Sequence, residues 1–285
     1  MDRPLLAFFG HHRCATTYVN DILRQVCREF NLRHITVPNP RVFNYDLRKF
    51  VEEKRVDFLA FVNADDEYVR QLDHFRGFHV VRDPRDVCVS AYYSSLYSHP
   101  LTDTWPELIE HRRKLQGLSE KEGLLLEIQF REHEFNLMYN WNYSLPNVLE
   151  LKFEEFMPHP YQRFLEVFRF LGILDEEPLG WRKRVLWPVY GGLRAVGDKS
   201  RGRLSIPISP ERFPAERLLG IVWENDFARK AGGRQPGQEE TKSHYRKGVA
   251  GDWRNHFEAE HIEYFKDHHN EVLIKLGYEQ HPDWE

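Results

Sequence analysis

Apolar positions along this chain fall alternately into short runs and helical stripes. Residues 5–9 form a continuous apolar run stopped by Gly10, the pattern of a strand buried on both faces. Val19, Ile22, Leu23, Val26, Cys27 and Phe30 then recur at helical spacing. The chain thus opens strand, loop, helix, with GHHRCATT as the loop. Further strand candidates lie at 58–62, at 78–81, where Asp83 and Pro84 stop it, and at 148–153. Helical stripes follow at Phe164, Val167, Phe168 and Leu171, closed by Gly172, and at Leu218, Leu219, Val222 and Trp223. A last stripe at Ile262, Phe265, Val272, Leu273 and Leu276 ends at Gly277. Strands alternating with helices predict an α/β fold: a mainly parallel sheet flanked by helices, in a single domain over 1–285. Residues 92–145, rich in charge and aromatics, predict a helical excursion from the sheet. Residues 230–245 (KAGGRQPGQEETKSHY) carry Gly, Pro and charge and predict a mobile loop.

Composition narrows the partners. Hydrophobic residues make up 41% of the 285 and aromatics 14%, enough for a core and too many for a disordered chain. Forty Lys and Arg against 44 Asp and Glu leave a net charge of −4, so neither nucleic acid nor an anionic membrane is an expected partner. A bound anion would need a local cluster of donors. Cys14, Cys27 and Cys88 are too widely spaced for a disulfide framework or a zinc site and fit a reducing compartment. The apolar run at 5–9 is too short for a signal-peptide core or a membrane span, which makes a cytoplasmic location the expectation.

Three segments carry candidate chemistry. In Gly10-His11-His12-Arg13-Cys14-Ala15-Thr16-Thr17-Tyr18 a buried strand feeds a loop that opens a helix. The first helical amides lack intrahelical partners and present a positive dipole end, while Arg13 adds a cation and Thr16 and Thr17 add hydroxyls. Read alone, the segment is equally a Thr-capped turn. The triphosphatase pattern GxxxxGK[ST] is absent. In VVRDPRDVCVS, Arg82 ends a strand and Ser90 lies two helical turns on, so both reach one anion if the helix packs back toward the strand end. The alternative is a solvated strand terminus with Asp86 paired to Arg85. In YRKGVAGDWRNHF, Arg246 and Lys247 precede Gly248 and Gly251, whose lack of a side chain lets backbone amides approach an anion. A basic surface loop is the plainer reading of the two cations.

Together these segments resemble one family. GHHRCATTY is similar to the PKSGTTW loop of the sulfotransferases that use 3′-phosphoadenosine 5′-phosphosulfate (PAPS). VVRDPRDVCVSAYYS is similar to their 3′-phosphate motif, and RKGVAGDWRNHF is nearly identical to their RKGxxGDWKNxF motif. VLELKFEEF at 148–156 resembles the family's strand-plus-acidic segment, so the resemblance runs from residue 5 to 277. It implies an enzyme that moves a sulfuryl group from PAPS to a hydroxyl or amine of a small acceptor and releases adenosine 3′,5′-bisphosphate (PAP), without a metal. By that correspondence His12, Arg13, Cys14, Ala15, Thr16, Thr17 and Tyr18 bind the 5′-phosphosulfate end. Arg13 takes the place of the loop lysine, and Tyr18 that of a tryptophan stacked on adenine. Arg82, Ser90, Arg246, Lys247 and Gly248 hold the 3′-phosphate, and Phe227 lies near the adenine. Trp253 shares the last motif but suits a core role at least as well.

The sequence departs from the family at the catalytic base. Family members of the cytosolic type carry a His after the strand that precedes the 3′-phosphate motif, and here that position is Asn63. Asp65 and Asp66 are the nearest carboxylates, with a strand-end or helix-cap role as the alternative, and His11, His12 and His34 are further candidates. The acceptor pocket is expected from 34–48, 92–145 and 230–245, with Phe43, Tyr45, Tyr92, Tyr93, Tyr97, Trp105, Phe130, Tyr139 and Trp141 as possible walls. A homodimer is compatible with the reading. The rivals are a non-catalytic PAPS- or PAP-binding module and a P-loop nucleotide kinase, and the kinase leaves the RKGxxGDW segment unexplained.

Overall fold

The computed structural model describes residues 4–102, 105–178 and 212–284. A five-stranded sheet in the order β2-β3-β1-β4-β5 forms the centre, and every pairing in it is parallel. Its strands are β1 (Leu5–Gly10), β2 (His34–Val37), β3 (Phe58–Phe61), β4 (Phe75–Val81) and β5 (Val148–Lys152). The α/β architecture read from the sequence is therefore the observed one. The all-apolar run of β1 sits in the middle, where both faces are covered. Leu6, Phe8, Phe58, Ala60, Phe78 and Val80 point to one side, against α1 (Thr16–Phe30), α9 (Pro160–Phe170) and α10 (Ala215–Glu224). Ala7, Phe9, Leu59 and Phe61 point to the other, against Phe43, Leu47, Val69 and Trp141.

β2 was not anticipated. It is an edge strand of four residues, HITV, and three of the four are only half-buried, so no apolar run marks it. Between β2 and β4 lie α2 (Leu47–Lys54) and the single turn α3 (Asp66–Val69). Beyond β4 the chain turns at Asp83, whose carboxylate caps α4 (Pro84–Tyr93) by accepting from Arg85 N at 2.9 Å, with Pro84 in the first turn. A π-helical turn over Ser94–Ser98 continues α4. Then come α5 (Pro106–Leu115), α6 (Glu120–Phe130) and α7 (Glu132–Asn140), which pack with α4 and the later α12 (Ala259–Lys275) into a second core around Cys88, Leu124, Ile128, Phe135 and Phe265. After β5 come the single-turn α8 (Phe153–Phe156) and a two-strand parallel pair, β6 (Leu174–Asp175) with β7 (Phe213–Pro214). The single turn α11 (Phe227–Lys230) leads into residues 231–251. Among the described residues no helix is long and apolar enough to cross a membrane. The expected extent of 1–285 includes stretches outside the described residues.

Two clasps tie the C-terminal motif to α4. The Asp86 carboxylate accepts from Gly251 N at 2.6 Å and from Trp253 N at 2.9 Å. Arg85 pairs with Asp83 and Glu279 and lies between the indoles of Trp253, 4.1 Å from its centroid, and Trp284, at 4.5 Å. Asp86 is therefore an acceptor for the motif's backbone, not a partner of Arg85. Trp253 is a core residue, 2% exposed.

Candidate active site

A cavity of 970 Å³ opens where the strands end. Its wall takes residues from the C-terminal end of every strand of the sheet: His12 after β1, Pro38 after β2, Val62 and Asn63 after β3, Arg82 after β4 and Phe153 after β5. Open parallel sheets present ligand sites at this edge.

The loop after β1 is wound by backbone in the left-handed region, at Arg13 (φ 64°) and Ala15 (φ 58°). Cys14 N donates to His11 O at 3.1 Å and Thr16 Oγ1 to the same oxygen at 2.7 Å, closing the loop on itself. No side chain caps α1, so its first-turn amides are left for an external anion. Arg13 bridges elements far apart in sequence. Its Nε donates to Ser90 Oγ at 2.9 Å, Nη1 to Ser94 Oγ at 3.2 Å, and Nη2 to His244 O at 3.2 Å. Burial, then Arg82, Arg246 and Arg131, push its pKa down to about 10, which leaves it charged at neutral pH in a strongly electropositive place.

Arg82 stacks on Phe153, 4.2 Å from the ring centroid, and donates to Arg13 O and Val249 O, while its Nε is buried without a partner. Arg246 is 6% exposed, set between Glu239 and Asp252 and over the ring of Tyr93 at 4.9 Å. Lys247 Nζ donates to the other oxygen of Asp252 at 2.5 Å. Burial works against the Asp252 carboxylate, yet hydrogen bonds from His256, Lys247, Asn255 and Arg246 hold its pKa well below the ordinary value. Gly248 has φ 69°, and a Cβ there would come within 2.6 Å of the Phe227 ring, so backbone and aromatic ring meet at van der Waals distance only because the side chain is missing. Arg234 fixes the preceding segment by donating to Gln238 O, Arg246 O, Tyr245 O and Ser243 Oγ.

The cavity collects nearly all the residues that the resemblance assigns to the cofactor: His12, Arg13, Ala15, Thr16, Thr17, Tyr18, Arg82, Ser90, Phe227, Arg246, Lys247 and Gly248. Cys14 is not on the wall. It is fully buried against α4, and burial pushes its thiol up to about 12. The base candidates separate. Asp65 lines the cavity, with one oxygen accepting from Glu67 N at 3.0 Å as the cap of α3. Asp66 is 4% exposed, paired with Arg70 at 2.5 Å and off the wall. His11 is sealed beneath the loop in a chain in which its Nε2 meets His79 Nε2 at 2.9 Å and His79 Nδ1 meets Glu150 at 2.6 Å. His34 sits on the edge strand against Phe58 and is likewise off the wall. His12 lines the cavity, stacked on His99 at 5.6 Å and met edge-on by Trp105. Burial, then Arg131, Arg13, His99 and His244, hold its pKa well below the ordinary value, so it is neutral and has a lone pair to offer. Asn63 lines the cavity and donates to Pro38 O.

Of the aromatics expected in an acceptor pocket, Tyr45, Trp105 and Phe130 are on the wall. Phe43, Tyr92 and Trp141 are buried in the cores, and Tyr97 and Tyr139 face solvent. Trp105 and Phe130 stack at 6.1 Å over the buried Arg131, which Glu127 and Glu134 neutralise. The sequence reading missed His99, His133 and His244 on the wall and Ser94 beside Arg13. Ser94 follows Ser90 at the i,i+4 spacing of one helix face, a signal the sequence does contain.

No curated protein sequence matches the chain at a significant level. Among solved structures, mouse sulfotransferase SULT7A1 complexed with PAP is similar in fold, at 16% identity and TM-score 0.50, over 97% of this chain and 88% of that one. A retinol dehydratase in complex with androsterone and inactive cofactor PAP follows at 14% identity and TM-score 0.49, over 96% and 82%. Residues 10–181 match the sulfotransferase domain family. That match spans more than half of the sequence and begins at the glycine that opens the anion loop, so the chain belongs to the sulfotransferase domain family.

Proposed function

We propose that this protein transfers a sulfuryl group from PAPS to a hydroxyl or amine of a small, partly aromatic acceptor. One observation carries the reading: a single cavity holds two separate groups of anion donors. The first is the uncapped α1 terminus with Arg13, Thr16 and Thr17. The second is Arg82, Arg246, Lys247 and the Gly248 backbone. A nucleotide with phosphate at both its 5′ and 3′ positions needs two such groups, and ATP needs one. The donors present fit PAPS, since Gly248 packs its bare backbone against Phe227 and Arg82 has a buried N–H to spare.

When bound, PAPS supplies an activated sulfuryl group on a phosphate leaving group. Arg13 and the α1 terminus hold the phosphosulfate end, and they are placed to stabilise the charge that develops on the departing oxygen. Arg82, Arg246, Lys247 and Gly248 bind the remote 3′ end, which orients the reacting one. The slab of His12, His99, Trp105 and Phe130 excludes water and receives the acceptor. His12 or Asp65 takes the acceptor proton. The three cysteines, Cys14, Cys27 and Cys88, are buried.

Calorimetric titration with PAP and with ATP, followed by turnover of labelled PAPS over phenols, alcohols, amines and sugars, tests the reading. PAP is expected to bind far more tightly than ATP. Equal affinities refute the cofactor assignment, and tight PAP binding with no turnover on any acceptor favours a non-catalytic binding module.

A further inference from the structure

His244 belongs to the segment whose composition reads as loop, yet its ring enters the cavity at the phosphosulfate end. It spans two of the loop's anion donors: Nδ1 is 3.4 Å from Arg13 Nη1 and Nε2 is 3.1 Å from Thr17 Oγ1. Its own carbonyl accepts from Arg13 Nη2, so residue 244 meets the guanidinium twice. Arg13 can only donate, which assigns the lone pair to Nδ1 and the proton to Nε2. In the free protein the ring is thus a neutral group occupying the place between Arg13 and the first turn of α1.

We infer that His244 is a cofactor-contacting residue that takes up a proton from solvent as the 5′ anion docks, becoming an imidazolium that pairs with it. The step needs no other reactant: one solvent proton is bound at Nδ1, and the positive charge it brings faces the incoming anion. The inference rests on the PAPS reading above and deepens it.

Charge around the ring supports this. From the loop it faces Arg13 and His12, from α1 Thr17 and Asp21, from the turn after α4 His99, and from its own segment Tyr245. Arg13 is the one cation in this set and Asp21 the one carboxylate, and burial, then Arg13 and His99, push its pKa down to about 4. An anion seated on Arg13 and Thr17 counters the Arg13 contribution while burial remains. It draws Arg13 away from Nδ1 and adds negative charge within a few ångströms of the ring, where opposite charges raise a histidine's pKa. Among the described residues, no other histidine on the wall hydrogen-bonds with both Arg13 and α1.

The test is isothermal calorimetry of PAP binding at pH 6 in buffers of differing ionisation enthalpy, which counts protons exchanged per ligand. Phosphate monoesters titrate near this pH as well, so the informative quantity is wild type minus His244→Asn. The difference is expected to be roughly half to one proton taken up. Affinity of the wild type for PAP should also rise as pH falls from 8 to 6 relative to the variant. His244→Gln, which keeps an N–H near the Nε2 position, should bind PAP comparably to His244→Asn and share its loss of proton uptake. Identical proton counts for wild type and both variants overturn the inference while leaving the PAPS reading intact. Failure of the wild type to bind PAP refutes the PAPS reading, and this inference with it.

Discussion

Replacing Arg246 by alanine isolates the 3′ end of the cavity. In the free protein the guanidinium lies between Asp252 and Glu239 and over Tyr93. Its removal does not strand a buried charge: Asp252 keeps Lys247 at 2.5 Å, Asn255 at 2.9 Å and His256 at 3.4 Å, while the partly exposed Glu239 side chain turns to water. The fold should therefore survive with a loss of about 1–3 kcal/mol, below the cost of orphaning a buried ion. A charge-assisted contact to phosphate contributes about 1.5–3 kcal/mol, which predicts a ten- to hundredfold weaker complex with PAP. The contact is remote from the departing oxygen and is made equally in ground and transition states, so kcat should stay within about fivefold. Calorimetry with a second ligand makes the experiment decisive. Adenosine 5′-phosphate lacks the 3′ group and should bind wild type and Arg246→Ala alike, so that the whole loss appears with PAP. An equal loss for both nucleotides would show that Arg246 shapes the site without contacting the 3′-phosphate, and the assignment would fall.

Other expectations follow from the same geometry. Arg13→Ala should lower kcat by about 10²–10³, while Arg13→Lys, restoring charge but not the fork on Ser90 and Ser94, should recover part of it in single-turnover assays. Gly248→Ala puts a methyl against Phe227 and strains a left-handed φ, so both PAP affinity and the thermal midpoint should fall. His12→Asn and Asp65→Asn, assayed for kcat across pH, should separate the bases: the true one loses two or more orders of magnitude with PAP affinity intact, and loss in neither removes both. His256 has its pKa raised by the hydrogen bond to Asp252 and, with burial opposing, by Glu120. Its stabilisation is present in full below its unfolded value of about 6.5 and is lost as pH rises through the folded value. His256→Gln should therefore lower the thermal midpoint more at pH 6 than at pH 9, and a larger loss at pH 9 would contradict the pairing.

What the sequence disclosed of this fold follows from where burial is complete. The strands at 5–9, 58–62 and 78–81 fill the sheet's centre, and apolar runs mark them, while the strand at 148–153 is an edge strand that Val148, Leu149 and Leu151 disclose despite Glu150 and Lys152. The edge strand His34–Val37 is half-wet and carries His and Thr, so no run distinguishes it from a loop. The cavity was legible because its cations sit at chain-punctuation points, the ends of β1 and β4 and the glycine-bearing turn at 248–251. Cys14 was misplaced because spacing gives a loop residue's neighbours but not which way a left-handed turn faces its side chain. The acceptor end was barely legible. His99, His133 and His244 reach the wall from three segments with no shared period, and only tertiary packing brings them together.

The contact between Arg13 and His244 joins positions 231 residues apart, and every strand pairing beneath it is parallel. Such pairings form late, because a long loop must close before any contact compensates for it. During synthesis Arg82 can reach the Arg13 loop early, but the second group stays incomplete until Arg246 and Lys247 have left the ribosome. A ligand that recognises only the completed edge stabilises the finished chain by mass action and leaves the unfinished one untouched. Occupancy by the sulfuryl donor therefore adds to the stability of the finished chain, the more so the further the donor exceeds its dissociation constant.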